Sequence, residues 1–322
     1  MAQQRLGASG GGNNNMAVKS GTQGNDTLKG GTDNDVIFGK AGNDAIVGQE
    51  GSDVIFGGAG NDRIAGDNFA PYLPPDPDGD TSHNFGPYWN SPDFKPGSNL
   101  IFAGAGNDEV LAGFGADTVF GGAGDDLIRG YGSVPTRGSE SQEDRTNFLF
   151  GDSGNDSIFG GAANDHLYGG SGRDTLQGGI GADTLTGGAG QDIFKFTRVG
   201  DFFLDNGVGP GARDVIADFH HGRDKMDLTG YQNSFPPPDG QPPTLFLGTD
   251  GFEVTYAAQV RYDIVDGNTV IQVVAKLGYN NSEPGPTLPT GPTFEIELRG
   301  VHHLTADDFI LPPGTGDYAP IG

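Results

Sequence analysis

Residues 103–129 read AGAGNDEVL AGFGADTVF GGAGDDLIR. Three nonapeptides stand in one phase: a glycine-rich turn, an aspartate in sixth place and an aliphatic residue in eighth. Only a three-residue strand fits between such turns, and its middle side chain points one way while its neighbours point the other. A strand that short cannot hide its aliphatic residue alone. Successive turns must therefore stack, so that the aliphatics of two facing sheets meet as a thin core. Glycine supplies the positive φ and the close backbone approach that the tight turns require.

Followed outward, the period of nine places aspartates at Asp26, Asp35, Asp44, Asp53 and Asp62, at Asp108, Asp117 and Asp126, and at Asp156, Asp165, Asp174, Asp183 and Asp192. Two residues after each stands Leu28, Ile37, Ile46, Ile55, Ile64, Val110, Val119, Ile128, Ile158, Leu167, Leu176, Leu185 or Phe194. Counting forward once more reaches Asp201, with Phe203 two places on. Stacked carboxylates about 4.8 Å apart repel unless a cation lies between them. Calcium, with six to eight oxygen ligands in flexible geometry, fits such a gap using turn carbonyls as well, and folding and metal binding then become one event.

Composition agrees. The 322 residues include 59 glycines and 43 acidic against 18 basic side chains, for a formal net charge of -25. So acidic a chain repels nucleic acid and anionic membranes and favours hard divalent cations. With no cysteine, disulfides and thiolate metal sites are excluded. The N-terminal MAQQRLGASGGGNNNM lacks the apolar core of a cleavable signal peptide, and no stretch approaches a membrane span.

The unit G-G-x-G-x-D-x-U-x resembles the calcium-binding nonapeptide of the RTX family. That resemblance implies an all-β fold, a right-handed parallel β-roll solenoid in which two nonapeptides make one coil. It also implies that the fourteen aspartates, Asp26 through Asp201, are metal ligands for roughly 7 to 12 calcium ions. Each aspartate then pairs with the one two repeats later, and the repeats sort onto two edges.

Two breaks interrupt the period. Counting back from Asp108 lands on Asn99, and back from Asp156 on Asn147, with Ile101 and Leu149 two places on. Both are degenerate repeats, so each break is an insertion within a turn, of 28 residues (99 − 62 = 37, less nine) and of 12 residues (147 − 126 = 21, less nine). Parity then puts Asp26, Asp44, Asp62, Asp108, Asp126, Asp156, Asp174 and Asp192 on a first edge. The second edge holds Asp35, Asp53, Asn99, Asp117, Asn147, Asp165, Asp183 and Asp201, with adjacent aspartates only at 35/53, 165/183 and 183/201. Both insertions leave from this depleted edge.

The last residue of each repeat points outward. On the second class it is Phe38, Phe56, Phe102, Phe120, Phe150 and Tyr168, then Thr186 and Leu204; the first class is mixed, with Lys29, Val47, Ala65, Leu111, Arg129, Phe159, Gln177 and Lys195. An aromatic column that survives both insertions supports the phase. It reads either as ring stacking that strengthens the sheet or as a contact surface, and the two are compatible.

The first insertion places Asp76, Asp78 and Asp80 at alternate positions, a calcium-loop spacing without the following bidentate Glu, and adds Phe69, Tyr72, Phe85, Tyr88, Trp89 and Phe94. A solvated acidic loop packed on its own roll accounts for these, with sugar stacking as the alternative. Gly151–Gly154 reads GDSG, but Ser153 occupies a variable turn position. His220, His221, His302 and His303 form two pairs, read as surface histidines rather than a zinc site. There is no H-E-x-x-H helix and no G-x-S-x-G nucleophile elbow; the string GASGG at 7–11 lies in the polar, glycine-rich N-terminal tail.

From residue 205 the period ends. DVIADFHHGRDKMDLTGY, 214–231, and TFEIELRGVHHLTADDFIL, 293–311, resemble the C-terminal domain of serralysin-type proteases and other type I secretion substrates. Between them QVRYDIVDGNTVIQVVA alternates like two antiparallel strands about a D-G-N turn. The expected organisation is a disordered tail at 1–19, a roll over 20–204 with insertions at about 67–96 and 131–144, and a secretion domain over 205–322. Only about 20 residues precede the first repeat, leaving no room for the family's catalytic modules. The resemblance implies export by a type I secretion apparatus and folding in extracellular calcium. The expected function is a non-enzymatic bacterial surface, matrix or self-assembling structural protein, homo-oligomeric through its aromatic face or insertion edge; the alternative is a polysaccharide-binding module.

Overall fold

The computed structural model describes residues 16–67, 97–130, 145–199, 203–204, 208–230, 244–251, 258–274, 292 and 294–311. It is all-β, with no α-helix among these residues. Two stacked sheets of 13 and 11 strands take the repeats alternately. Strands such as Val36–Ala41, Val54–Ala59, Leu100–Ala105, Thr118–Ala123, Phe148–Ser153 and His166–Ser171 pair in parallel in the aromatic sheet, while Ala45–Gln49, Arg63–Ala65, Glu109–Leu111, Leu127–Arg129 and Ser157–Ala162 pair in the mixed sheet. Two nonapeptides thus make one coil, the architecture of a β-roll.

Register is kept across both insertions. Phe56 aligns with Phe102 and Phe120 with Phe150 in the aromatic sheet; Ile64 aligns with Val110 and Ile128 with Ile158 in the mixed sheet. Both insertions lie in connections from the mixed sheet to the aromatic one, hence on one side of the roll. Between them the mixed sheet counts only Arg63–Ala65, Glu109–Leu111 and Leu127–Arg129, so their roots stand two strands, about 10 Å, apart.

The core is one aliphatic residue per strand. Ile37, Ile55, Ile101, Val119, Leu149, Leu167, Leu185 and Ile216 of one sheet face Ile46, Ile64, Val110, Ile128, Ile158, Leu176, Phe194 and Met226 of the other, all buried. Each is worth about 1.5–3 kcal/mol on burial, so the roll is held by many equal small contributions.

Past Val199 the expected period fails. Phe203–Leu204 turns back antiparallel on Ile193–Val199 instead of adding a parallel rung. The strand after Thr184–Ala189 in the aromatic sheet is Asp214–Ile216, and after Ile193–Val199 in the mixed sheet comes Lys225–Gly230. Both sheets therefore run on into the C-terminal segment, through Phe294–Leu298, Asn268–Val274 and Ala258–Val265 on one side and Phe309–Ile310 on the other. The pair Ala258–Val265 and Asn268–Val274 is antiparallel about Asp266–Gly267, both at positive φ, as a two-residue hairpin turn requires. Within this segment Arg213 ties Asp214–Ile216 to its neighbour Phe294–Leu298 by ion pairs with buried Glu295 at 3.1 Å and half-buried Glu297 at 2.9 Å.

Candidate metal centre

Each repeat aspartate closes the gap to its neighbour with one oxygen. Oδ1 accepts the backbone N–H of the aspartate one coil earlier: Asp44 from Asp26 at 2.8 Å, Asp62 from Asp44 at 2.8 Å, Asp108 from Asp62 at 2.7 Å, Asp126 from Asp108 at 2.8 Å and Asp156 from Asp126 at 2.8 Å. The second row runs Asp35 to Asp53 at 2.7 Å, Asp53 to Asn99 at 2.9 Å, Asn99 to Asp117 at 2.6 Å, Asp117 to Asn147 at 2.9 Å and Asn147 to Asp165 at 2.7 Å. An asparagine oxygen can do this part of the work.

The other oxygen carries the cost of folding the roll without a cation. Oδ2 of Asp35, Asp44, Asp53, Asp62, Asp108, Asp126, Asp156, Asp174 and Asp192 is buried without a hydrogen-bond partner. An orphaned buried carboxylate oxygen costs several kcal/mol unless neutralised. These oxygens point at turn carbonyls. A Cβ built on Gly39 would lie 2.4 Å from both Asp44 Oδ2 and the Gly57 carbonyl oxygen. One on Gly57 would lie 2.6 Å from Asp62 Oδ2 and 2.4 Å from the Ala103 carbonyl, and one on Gly151 2.3 Å from Asp156 Oδ2 and 2.5 Å from the Gly169 carbonyl. The glycine at the head of each turn thus keeps open an oxygen-lined cradle. Among the described residues no three His, Asp or Glu side chains converge on one point; each rung instead offers one carboxylate oxygen and backbone carbonyls, a hard-oxygen donor set that fits calcium.

Electrostatics describe the same need. Burial first, then like charges, those of neighbouring rungs in most cases and of Asp125 and Asp152 at Asp126, push Asp53, Asp62 and Asp156 up to about 7 and Asp108, Asp126 and Asp174 up to about 6, from the ordinary 3.8. A three-unit rise is about 4 kcal/mol against ionisation, so a few such groups rival the roughly 5–15 kcal/mol stability of a whole domain.

The rungs are not equal. At Asn99 the amide Nδ2 takes the place of the orphaned oxygen and donates to the Ala112 carbonyl at 3.2 Å, so this rung closes its own cradle by a hydrogen bond. Asn147 presents Nδ2 in the same way beside Gly130, and that nitrogen is buried and unpartnered. Ala103 and Ala112 fill the glycine position ahead of Asp108 and Asp117. Asp26 is half-buried, its Oδ2 accepting from the Thr22 hydroxyl at 2.8 Å.

Sequence counting missed four features. Asp214 Oδ1 accepts the Asp183 N–H at 2.8 Å and so occupies the rung assigned to Asp201, which lies outside the described residues; Asp224 extends the first row by accepting from Asp192 at 3.3 Å. The signal was present, since both head an Asp-x-apolar triplet, Asp214-Val-Ile and Asp224-Lys-Met, at lost spacing. Asp67, at the root of the first insertion, is fully buried and accepts the Phe114 N–H at 2.7 Å; burial, with Asp117 nearby, raises it to about 8. Where an asparagine precedes the aspartate a second ladder runs the other way, with Asn43 N–H on Asn25 Oδ1 at 2.8 Å and Asn107 N–H on Asn61 Oδ1 at 2.9 Å.

The remaining candidates do not assemble a site. Ser153 donates its hydroxyl to the Gly122 carbonyl at 3.1 Å. His221 pairs with buried Asp308 at 2.8 Å, His220 meets Asp224, and His302 contacts the Arg299 carbonyl and the Phe219 ring. Asp76, Asp78, Asp80 and the aromatics of the first insertion lie outside the described residues.

Comparison with known families bears on the rows directly. The RTX calcium-binding nonapeptide repeat matches residues 20–55, 38–73, 95–130, 143–176 and 168–195. The roll is built of RTX calcium-binding nonapeptide repeats. Similar solved structures include the AlgE6R3 subunit of the mannuronan C5-epimerase of Azotobacter vinelandii, 22% identical over 70% of this chain and 88% of that one, with a TM-score of 0.26. The AlgE6R2 subunit of the same enzyme is 24% identical over 62% of this chain and 94% of that one, at a TM-score of 0.28. No curated protein matches.

Proposed function

We propose that this RTX chain is a non-catalytic structural protein, exported by a type I apparatus, that folds on meeting extracellular calcium and then associates with further copies of itself. In this reading the segment after 204 serves export as an uncleaved C-terminal signal. The aspartates of the two rows, with turn carbonyls, hold the metal.

The observation that carries self-association is the outer face of the aromatic sheet. Phe38, Phe56, Phe102, Phe120, Phe150 and Tyr168 stack with centroids 4.7–5.1 Å apart and planes within 5–7°. The parallel column beside it is Val36, Val54, Leu100, Thr118, Phe148 and His166. Neither column contains Asp, Glu, Lys or Arg, whereas the mixed sheet presents Lys29, Arg63, Glu109, Arg129 and Lys195. Two copies carrying -25 each approach most cheaply where charge is absent. Sugar stacking is less well served, because each ring spends its faces on its neighbours and turns edges outward, while a sugar packs on an open ring face.

The test is sedimentation in calcium and in chelator. The wild type is expected to associate in calcium, and Phe102→Lys with Phe120→Lys to remain monomeric with unchanged calcium-induced circular dichroism. A wild type that stays monomeric in calcium at all concentrations overturns the reading.

A further inference from the structure

The metal rows have ends, and their chemistry differs from the middle. In the interior the carbonyl of each turn-heading residue points back at the preceding rung, as the Gly39 carbonyl does toward Gly21 and the Gly48 carbonyl toward Gly30. The first members of the two series, the carbonyls of Gly21 and Gly30, have no aspartate-bearing turn before them among the described residues.

Each of these carbonyls is met by an ammonium group. Lys40 Nζ donates to the Gly21 carbonyl at 2.6 Å; Lys19 Nζ donates to the Gly30 carbonyl at 3.0 Å and to the Lys29 carbonyl. Both lysines stand where the pattern does not ask for them. Lys19 aligns with Ile37, so it heads the inward aliphatic column of the aromatic sheet. Lys40 takes a turn position held by glycine in most other repeats and adopts φ 90° there. At the far end of the first row the same chemistry returns. Arg223 donates to the Gly188 carbonyl at 3.3 Å and to Asp224 Oδ1 at 3.3 Å, while Asp218 accepts the N–H groups of Gly187 and Gly188 at 2.9 and 2.8 Å.

We propose that Lys19, Lys40 and Arg223 are tethered cations that take the place of calcium at the row ends. A covalently held charge has no concentration dependence, so the end coils close at lower calcium than the interior coils and cap the solenoid. Two consequences follow. Folding begins from a terminal coil rather than in the middle, and the N-terminal end presents ammonium groups and no free metal-binding carbonyls to another copy. Growth of any assembly is then lateral.

The inference rests on the calcium reading of the rows, and one experiment separates them. Hydrogen exchange is followed by mass spectrometry across a calcium titration, comparing peptides over 21–41 with peptides over 156–183. Lys19→Met with Lys40→Met is expected to raise the calcium midpoint of 21–41 by about threefold or more, as loss of a bound cation requires, with a smaller change at 156–183; the double arginine variant restores it. An unchanged midpoint at 21–41, or an equal shift in both regions, overturns the capping role. Failure of the calcium reading looks different: 156–183 of the wild type would show no calcium-dependent protection. If the double methionine variant is unprotected everywhere, Lys40→Met alone decides, since that side chain is exposed and contributes one hydrogen bond.

Discussion

Asp62→Asn should change sign with calcium. The substitution copies what stands at residue 99. Oδ1 of Asp62 accepts the Asp44 N–H at 2.8 Å, a task an amide oxygen performs equally, as Asn99 does for Asp53 at 2.9 Å. The new Nδ2 replaces an orphaned oxygen facing the Ala103 carbonyl, and at Asn99 the equivalent nitrogen reaches Ala112. In chelator at pH 8 the variant removes a carboxylate held near 7 by burial and by Asp108 and Asp44, so the metal-free roll gains up to about 4 kcal/mol. In calcium the same change deletes a ligand and a charge, a loss of about 3 kcal/mol for an ion present at a hundred times its dissociation constant. The assay is urea unfolding in millimolar calcium alongside folding by an excluded osmolyte in chelator. Destabilisation in calcium with a lower osmolyte midpoint in chelator is the expected pair. The same sign in both conditions refutes the reasoning.

Other consequences are equally open to measurement. Because the raised carboxylates favour the protonated fold, their contribution is complete below about pH 4 and lost as pH rises through 6 to 7; circular dichroism in chelator should show more roll at pH 5 than at pH 8, and calcium binding at pH 6.5 should release protons. Gly151→Ala puts a methyl 2.3 Å from Asp156 Oδ2 and 2.5 Å from the Gly169 carbonyl, so equilibrium dialysis should show at least one calcium fewer and urea unfolding a loss of about 1–3 kcal/mol from overpacking beyond the lost ion. Arg213→Met removes the guanidinium from buried Glu295 and half-buried Glu297, which keep hydrogen bonds from Gly209, Gln272 and Asn268, and should cost about 1–3 kcal/mol, read as early loss of exchange protection at 294–298 while 100–130 stays protected.

The roll was legible because its period is physical. A nonapeptide that must return its aspartate to the same edge every second turn leaves no freedom in phase, so counting through two insertions identified Asn99 and Asn147 correctly as rungs. The hydrogen-bond separations across the breaks, 46 and 30 residues, are the 18 of a regular coil plus 28 and 12. Legibility ended where the chain ceased to be periodic. Asp214 and Asp224 follow their predecessors by 31 and 32 residues, and nothing in a count of nines distinguishes them from Asp201. Asp67 was invisible for another reason: it acts by replacing a ladder hydrogen bond that the insertion removes, and that loss exists only once Phe114 is placed opposite. Lys19 and Lys40 likewise acquire meaning only when the ends of the stack are known.

Calcium titration at pH 8, with the ions counted by equilibrium dialysis and the fold followed by far-ultraviolet circular dichroism, tests the central claim most directly. The orphaned oxygens and oxygen-lined cradles predict a cooperative gain of β signal that requires several calcium ions per chain, is reversed by chelator and is not reproduced by magnesium, which demands a tighter octahedral shell. A chain that is fully β-rich in chelator at pH 8, or that binds at most one calcium ion while folded, contradicts it.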